Sequence, residues 1–186
     1  MKNLKKVDNS LYKATISIGA STLKQVLWYF INIFFFKNSL NVFSSLKVFL
    51  LKLFGAKIGS GTVVKPSVNI KYPWKLRVGK NVWIGEETWI DNLSDVIIGD
   101  NVTLSQGALL LTGSHDFTKE SFDFLSYPIT LEEGVWICSK AIVGPGTVTC
   151  KSHSMLTTGS VANKIMKEYT IYAGNPAKAV GERIII

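Results

Sequence analysis

The sequence has 186 residues, of which 47% are hydrophobic, and a formal net charge of +8. This length suits one domain with an appendage and is enough to bury a core. The positive charge is local, because residues 1–57 contain nine lysines and one acid, Asp8, whereas residues 58–186 are formally neutral. Those lysines alternate with large aliphatic groups and form no polar strip, which argues against nucleic-acid binding.

Cysteine usage and the start of the chain indicate a cytoplasmic protein. The two cysteines, Cys138 and Cys150, do not make the compact framework of a secreted mini-domain, so we expect both to be reduced. No signal peptide is predicted, because the first strongly apolar run begins near Val26 and no small-residue cleavage site follows it.

Residues 1–56 are predicted to form a basic, aromatic-rich helical segment. The polar stretch 1–22 predicts little, and the apolar run QVLWYFINIFFF at 25–36 falls short of the roughly 20 residues that a membrane span needs. A second helix is indicated before Gly55, with Lys47 and Lys52 displaced from its apolar stripe. That predicted stripe consists of Phe43, Leu46, Leu50 and Phe54.

Two compatible interpretations of residues 23–54 stay open. The helices pack on the end of the following domain and shield its first turn, or they lie on the inner face of a membrane as a peripheral contact. In the second case the lysines meet anionic lipid and the aromatic side chains enter the headgroup region.

From Ile58 onward one apolar position recurs every sixth residue. The second position of each unit is often Gly and the fifth is often small or β-branched, as expected for a short strand followed by a sharp corner. We expect the first residue of each unit to point inward. The series is Ile58, Val64, Ile70, Val78, Ile84, Ile90, Ile98, Leu104, Leu110, Leu131, Ile137, Val143, Thr149, Met155 and Val161.

Longer steps fall only after every third unit, after Ile70, Ile90 and Leu110. Three units therefore make one triangular coil, and coils stack at about 4.8 Å through backbone hydrogen bonds. The sequence predicts an all-β parallel β-helix of about five coils over residues 57–166. A fifteen-residue loop, 116–130, leaves one corner, and residues 167–186 form a short C-terminal tail.

Three motifs add to the repeat: TGSHDF at 112–117, EEGVWI at 132–137 and AGNPAKAVGERI at 173–184. With them the chain resembles the hexapeptide-repeat acyltransferases, and its whole layout looks most like the acetyltransferases of colanic acid and related exopolysaccharide synthesis. The resemblance implies a left-handed β-helix, acetyl-CoA as acyl donor and a homotrimer with active sites between subunits.

His115 is the candidate catalytic residue. It lies at the mouth of the long loop, and a sugar hydroxyl needs a base before it can attack a thioester. In the resembled family the histidine of this motif is that base. Asp95 lies one coil earlier, so we expect it to stack about one strand spacing from His115 and orient the ring; a solvated corner aspartate is the alternative.

The other candidates are acceptor and donor contacts. Asp91 and Asn92, on the coil of Asp95, and Asp116 in the loop are expected to hydrogen-bond the acceptor sugar, with ordinary corner residues as the alternative. The resemblance places Trp136, Ser139 and Thr157 along the pantetheine groove and matches Lys164 and Lys178 to the phosphates of coenzyme A. Arg183 is a further candidate for the phosphates. Counting forward from Pro145 instead puts the family's lysine at Asn163, so a one-residue insertion lies before Gly174.

No metal site is predicted. The β-helical zinc enzymes of the γ-carbonic anhydrase type use three histidines, and this chain has His115 and His153 only, the second assigned to the fifth position of a unit and to a structural role.

The resulting hypothesis is an acetyl-CoA-dependent O-acetyltransferase that acts on a sugar hydroxyl in exopolysaccharide, capsule or cell-surface glycan synthesis. The acceptor is a sugar or a lipid-linked saccharide. An N-acetyltransferase acting on an amino sugar is the alternative enzyme, and a non-catalytic, membrane-associated scaffold is the alternative from another class.

Overall fold

The computed structural model describes residues 5–13, 16–146 and 148–186. Its N-terminal part contains helix α1 (Thr22–Ile31), a π-helical turn (Asn32–Phe36) and helix α2 (Ser44–Leu53). The side chain of Ser21 accepts a hydrogen bond from the backbone N–H of Lys24, which caps the start of α1. The chain leaves α2 through Gly55, whose φ of +100° suits glycine. Two helices therefore form in the region where the sequence predicts them.

The rest of the chain winds through three parallel sheets, with strands numbered in chain order. The first contains β1 (Lys57–Ile58), β4 (Leu76–Val78), β7 (Val96–Ile98), β12 (Ile129–Leu131) and β15 (Val148–Cys150). The second contains β2 (Val63–Val64), β5 (Trp83–Ile84), β8 (Thr103–Leu104), β13 (Trp136–Ile137) and β16 (Met155–Leu156). The third contains β3 (Asn69–Ile70), β6 (Trp89–Asp91), β9 (Leu109–Leu111), β14 (Ile142–Val143) and β17 (Val161–Ala162).

The six-residue repeat sets the core. From Val64 to Val143 every predicted inward residue is at most 6% exposed, and the three sheets close around this column of side chains. The fourth residue of a unit makes the corner, because it takes a left-handed backbone conformation, as in Asn81 (φ 54°) and Asn101 (φ 58°). The parallel β-helix predicted from the period is confirmed.

The predicted phase of the last coil is wrong by one residue. Cys150, Leu156 and Ala162 are buried there, in register with Leu131, Ile137 and Val143, whereas Thr149, Met155 and Val161 are only partly buried. The step from Val143 to the next inward residue, Cys150, is therefore seven residues, and the additional residue lies before Val148. The six-residue spacing of apolar positions in the sequence gives no sign of it. His153 consequently occupies a fourth position, with φ of 58°, and its ring stacks on that of Tyr169.

The predicted apolar stripe of α2 is confirmed only for Leu50 and Phe54, which are partly buried against the core. Phe43 is 67% exposed and Leu46 is 37% exposed, whereas Lys47 and Leu51 are fully buried. The long aliphatic stem of Lys47 lets its ammonium group reach the carbonyl oxygens of Asn41 at 2.7 Å and Lys65 at 3.0 Å. A lysine therefore occupies the face of α2 that packs on the first coil.

The helical segment caps the solenoid. Trp28 of α1 donates a hydrogen bond through Nε1 to the carbonyl oxygen of Ile70 at 2.9 Å, and its ring packs on those of Phe36 and Phe54. The packing interpretation of residues 23–54 is thus confirmed. In the described part of the chain no helix is both long enough and apolar enough to cross a bilayer.

The long loop and the tail are more ordered than predicted. Strand β10 (Gly113–His115) pairs antiparallel with β11 (Phe124–Ser126), and the coil resumes at Ile129, two residues before Leu131, where the sequence predicts it. In the tail, β18 (Thr170–Gly174) adds to the second sheet beside β16 and folds back on β19 (Ala177–Glu182).

Candidate active site around His115

A β-hairpin carries the candidate catalytic histidine. Strands β10 and β11 leave the corner between the third and first sheets, and His115 pairs with Phe124. The backbone N–H of Asp116 donates to the carbonyl oxygen of Asp123 at 2.8 Å and closes the turn. His115 therefore lies within a hydrogen-bonded hairpin, whereas the sequence placed it at the end of a coil.

The surroundings of His115 define its tautomer. Its Nδ1 lies 2.9 Å from the carbonyl oxygen of Phe122, which can only accept a hydrogen bond. Nδ1 therefore carries the proton in the neutral ring, and Nε2 keeps a free lone pair. The ring of Phe122 stacks on the imidazole at a centroid distance of 4.3 Å, and Phe124 meets it edge-on at 5.5 Å.

Backbone strain accompanies this arrangement. Phe122 has φ of +49°, a left-handed conformation that bulky side chains rarely adopt. The same residue supplies both the ring that stacks on His115 and the carbonyl that binds Nδ1. The hairpin therefore holds the imidazole with one tautomer and one orientation.

The predicted contact between Asp95 and His115 is wrong. Among the described residues no hydrogen bond or ion pair joins the two side chains, because β10 leaves the coil before His115. Asp95 is exposed, and its carbonyl oxygen accepts from the N–H of Ile129 at 3.1 Å. Burial lowers the pKa of Lys75, and the charge of Asp95 partly opposes that shift. A catalytic role for Asp95 stays a prediction.

The three predicted acceptor residues lie in different environments. Asp91 is only 7% exposed and its carboxylate lies 3.0 Å from Lys71 Nζ. Asn92 is fully buried, and its amide accepts from the N–H and donates to the carbonyl of Tyr72, so a structural role replaces its predicted sugar contact. Asp116 accepts from the backbone and hydroxyl of Thr118, which lowers its pKa; its contact with sugar stays a prediction.

The predicted groove residues lie together on the second sheet. Trp136 in β13 is 36% exposed and donates from Nε1 to Ser105 Oγ at 2.9 Å. Ser139 follows the same strand and donates to Gln106, and Thr157 follows the neighbouring β16. Burial raises the pKa of the nearby Cys138 thiol. These residues lie on two neighbouring coils, because β13 pairs with β16.

The predicted phosphate ligands lie on separate elements. Lys164 follows β17 and Lys178 lies in β19, and both are exposed. Arg183 instead binds within the chain, because its guanidinium donates to the carbonyl oxygens of Gly134 at 2.8 Å and His153 at 3.2 Å. Its predicted role in phosphate binding therefore competes with a structural one.

Sequence reasoning missed the aromatic neighbours of His115. Phe122 and Phe124 come from the long loop, and Tyr12 comes from the uninformative N-terminal stretch, with its ring 5.9 Å from the imidazole. No periodicity marks any of them, because none belongs to a repeat unit. Among the described residues, no three His, Cys, Asp or Glu side chains are grouped to hold a metal ion.

Comparison with known proteins identifies the family. The chain is 36% identical, over 166 residues, to the putative colanic acid biosynthesis acetyltransferase WcaF of Escherichia coli K12, covering 89% of this chain and 91% of the relative. It is 30% identical over 136 residues to the galactoside O-acetyltransferase of the same organism, covering 72% and 66%. The fold matches a hexapeptide-repeat acetyltransferase of Vibrio cholerae in complex with acetyl coenzyme A, with a TM-score of 0.78, 20% identity and coverage of 90% and 92%. No family model matches the sequence.

The chain belongs to the hexapeptide-repeat acetyltransferases, which are left-handed parallel β-helices. Within that family its similarity to WcaF extends across the capping helices as well as the solenoid, since the match covers nearly the whole chain. The family resemblance drawn from the three motifs is confirmed.

Proposed function

We propose that the chain is an O-acetyltransferase that moves an acetyl group from acetyl-CoA to a sugar hydroxyl during assembly of a cell-surface polysaccharide. Relatives named for colanic acid synthesis and galactoside O-acetylation support the sugar acceptor. A solved structure of the same fold, bound to acetyl coenzyme A, supports the donor. The observation that carries the proposal is the orientation of His115, whose Nδ1–H is bound to Phe122 and whose Nε2 is left as a base.

The reaction follows from that tautomer. Nε2 of His115 accepts the hydroxyl proton while the sugar oxygen attacks the thioester carbonyl. The imidazolium that forms is stabilised by its Nδ1–H bond to the Phe122 carbonyl. When the tetrahedral adduct collapses, the carbon–sulfur bond breaks and the leaving thiolate takes the proton from Nε2. The ring thereby returns to its starting state.

The surface of Trp136, Ser139 and Thr157 supports binding of the pantetheine arm. It combines an aromatic face with hydroxyl groups and is long enough to cross neighbouring coils. Lys164 and Lys178 are exposed cations suited to the phosphates of coenzyme A. Since Arg183 is bound to two backbone carbonyls, we assign it to stabilising the tail beside Trp136, 6.0 Å from that ring.

We further propose that the protein is a homotrimer with its active sites between subunits. The outward faces of the sheets support this arrangement, because they expose large apolar side chains that a partner could cover. These residues are Trp83 (43% exposed), Ile97 (41%) and Trp136 (36%).

The mechanism is tested with His115→Ala. Loss of a general base lowers acyl transfer by roughly 10²- to 10⁴-fold, so we expect acetylation of surface polysaccharide and of its lipid-linked precursors to disappear by mass spectrometry. Coenzyme A binding, measured by calorimetry, should persist. The matched control is His153→Asn, because asparagine tolerates the left-handed conformation of that corner.

The outcomes separate the alternatives. Unchanged acetyl content in His115→Ala overturns the proposed mechanism. A wild-type protein that binds no coenzyme A favours the scaffold, and transfer to amino sugars but not to hydroxyls favours an N-acetyltransferase.

We also propose that the chain works on the cytoplasmic face of a membrane, with its capping segment as a peripheral contact. Leu23, Leu27, Phe34 and Phe49 are between 49% and 69% exposed there, on a segment that also carries exposed lysines such as Lys37 and Lys52. Apolar side chains flanked by cations suit an anionic lipid surface.

This contact is tested by flotation with vesicles containing phosphatidylglycerol. We expect the wild-type protein to float and the double variant Leu27→Ser/Phe34→Ser to remain at the bottom of the gradient. The control is Val180→Ser, which removes an equally exposed side chain (63%) from β19, at the far end of the second sheet. Equal flotation of all three proteins contradicts the proposal.

A further inference from the structure

Three insertions stack at one corner of the solenoid, where the third sheet passes into the first. Residues 71–75 separate β3 from β4, residues 92–95 separate β6 from β7, and residues 112–128 carry the His115 hairpin between β9 and β12. They coincide with the longer steps from which the sequence predicts a triangular coil. The proposed mechanism uses only the hairpin, so the first and second insertions need an explanation of their own.

Hydrogen bonds join the first insertion to the second. Asn92 is fully buried, and its side chain accepts from the N–H of Tyr72 at 2.9 Å and donates to the carbonyl oxygen of the same residue at 2.6 Å. Lys75 Nζ donates to the carbonyl oxygen of Leu93 at 2.6 Å. Since a buried amide cannot move without leaving polar groups unpaired, the first insertion holds the second in place.

The second insertion is joined in turn to the start of the hairpin. Thr112 is fully buried, and its hydroxyl donates to the carbonyl oxygen of Asp91 at 2.9 Å and accepts from the N–H of Ser94 at 3.0 Å. The carbonyl oxygen of Thr112 accepts from the N–H of Tyr127 at 2.9 Å, where the hairpin returns to the coil. One buried threonine therefore ties both ends of the hairpin to the coil before it.

Leu93 of the second insertion reaches the strand that carries His115. A Cβ atom built on Gly113 would lie 2.8 Å from Leu93 Cδ1 and 3.3 Å from Phe124 Cζ. The two side chains therefore occupy the space that a side chain at position 113 would need. Gly113 and His115 are two residues apart in β10, so this space lies on the same face of the strand as the imidazole.

Phe124 connects this contact to the imidazole. It pairs with His115 across the hairpin, and its ring meets the imidazole edge-on at a centroid distance of 5.5 Å. The far end of the same ring lies beside Gly113, in contact range of the position that Leu93 also approaches. A shift of the Phe124 ring towards Gly113 would leave the edge of the imidazole without this neighbour.

We infer that Leu93 is a positioning residue for His115. It keeps the Phe124 ring in place beside Gly113, and that ring restricts the tilt of the imidazole. The two short insertions of the repeat serve to hold Leu93, through the hydrogen bonds of Asn92 and Thr112. The consequence for acetyl transfer rests on the proposed function, whereas the effect on the ring of His115 does not.

The ring contact is tested by NMR of the full-length protein with labelled histidine. The chain has two histidines, so His115→Ala assigns the spectrum and His153 serves as an internal reference. We expect Leu93→Ala and Gly113→Ala each to shift the imidazole C–H signals of His115, because both variants move the Phe124 ring and change its ring current. Leu93→Met, which refills the space, should restore the wild-type signals. His115 signals that stay unchanged in both alanine variants overturn the inference.

A double-mutant cycle tests the consequence for catalysis. Leu93→Ala empties the space beside Phe124, and the methyl group of Gly113→Ala displaces the flexible ends of two side chains without touching the backbone. Each variant should lower kcat about tenfold, with acceptor KM and coenzyme A affinity unchanged. In Gly113→Ala/Leu93→Ala the new methyl group replaces the missing leucine beside Phe124, so kcat should return to within about threefold of wild type.

The kinetics use acetyl-CoA and the lipid-linked polysaccharide precursors that the wild-type protein acetylates. Losses that multiply in the double variant, or losses confined to acceptor KM, overturn the positioning role. The control is Gly181→Ala, whose methyl group meets nothing within 4 Å and should change neither kcat nor the His115 signals.

The NMR measurement separates this inference from local unfolding and from the proposed function. A general loss of structure would shift the signals of His153 as well, so a shift confined to His115 supports the contact, and a shift of both histidines overturns it. If His115→Ala transfers acetyl as fast as wild type, the proposed mechanism is wrong, and the spectra of Leu93→Ala and Gly113→Ala still decide whether Leu93 sets the orientation of the ring.

Discussion

Lys47 is fully enclosed, and both groups that bind its ammonium are backbone carbonyls. Asn41 precedes α2 and Lys65 follows β2, so one side chain ties the cap to the first coil. Lys47→Met keeps the stem and removes the donor, which leaves two buried acceptors. We expect this variant to lose about 1–3 kcal/mol of unfolding free energy in urea titrations at neutral pH. The exposed Lys52→Met is the control, and equal losses would contradict the role of Lys47.

The same residue predicts a pH dependence. Burial lowers the pKa of Lys47, and the nearby charge of Lys65 lowers it further. The folded state therefore binds the Lys47 proton less tightly than the unfolded state does. At neutral pH, where Lys47 is charged in both states, this difference lowers the unfolding free energy. This destabilisation is relieved as the pH rises through the lowered pKa towards the unfolded value of about 10.4. The stability difference between wild type and Lys47→Met should therefore grow as the pH rises from neutral towards the unfolded value, which urea titrations at a series of pH values measure; a constant or shrinking difference contradicts the lowered pKa.

Single residues also show the limits of sequence reasoning about the site. His115 could be singled out, because a histidine beside the one long interruption of the repeat stands out. Its Nδ1 partner could not, because the Phe122 carbonyl belongs to the backbone and depends on a left-handed turn. Likewise, the pattern of α2 favours burial of Phe43, and only the carbonyls of Asn41 and Lys65 make Lys47 the better core residue.

At the scale of the strand and its corner, glycine marks the close approach of successive coils. A Cβ atom built on Gly85 would lie 2.9 Å from the Leu104 carbonyl oxygen and the Gln106 nitrogen, both backbone atoms that cannot turn aside. Gly85→Ala should therefore lower the unfolding free energy by about 1–3 kcal/mol. In the control, Gly181→Ala, the added methyl group meets nothing within 4 Å. Thermal unfolding followed by circular dichroism compares the two, and equal midpoints would exclude steric crowding as the reason for glycine.

The repeat predicts most of these elements because each inward residue must fill the same column. It fails at the last coil, where a seven-residue step separates Val143 from Cys150. The side chains of Thr149 and Met155 are nearly as suitable for an inward-facing position as those of Cys150 and Leu156. Hydrophobicity alone could therefore not detect the one-residue shift. The register supports Lys164 over Asn163 as the family's lysine, because the insertion lies before β15 and counting back from Gly174 is unaffected.

Across the whole molecule, the N-terminal residues join parts of the chain that the sequence left unconnected. Trp74 Nε1 donates to the Ile18 carbonyl at 2.7 Å, and Lys75 Nζ donates to the Ser17 carbonyl at 2.7 Å. Further towards the N-terminus, the backbone N–H of Asp8 donates to the Glu120 carbonyl at 2.8 Å. Described residues before α1 thus contact both the His115 hairpin, through Asp8, and the turn between the first two coils, through Ser17 and Ile18. No pattern in their polar sequence could predict these contacts.

Tyr12, in the same N-terminal part of the chain, lies against the candidate base. Its ring centroid is 5.9 Å from that of His115, and the planes of the two rings are inclined at 45°. We expect Tyr12 to act as a positioning residue, because a third aromatic neighbour restricts the tilt of the imidazole. Tyr12→Ala should lower kcat about tenfold through misorientation of the base while leaving coenzyme A affinity unchanged.

The conservative variant separates this role from simple folding. Tyr12→Phe keeps the ring and should restore kcat, whereas Leu11→Ala removes a side chain of similar exposure, 48% against 39%, and should leave kcat unchanged. A kcat of Tyr12→Ala equal to wild type, or a Tyr12→Phe protein as slow as Tyr12→Ala, would contradict the ring contact. Loss of activity in Leu11→Ala as well would mean that the N-terminal residues act by holding the hairpin, through Asp8 and Glu120, and not through the ring of Tyr12.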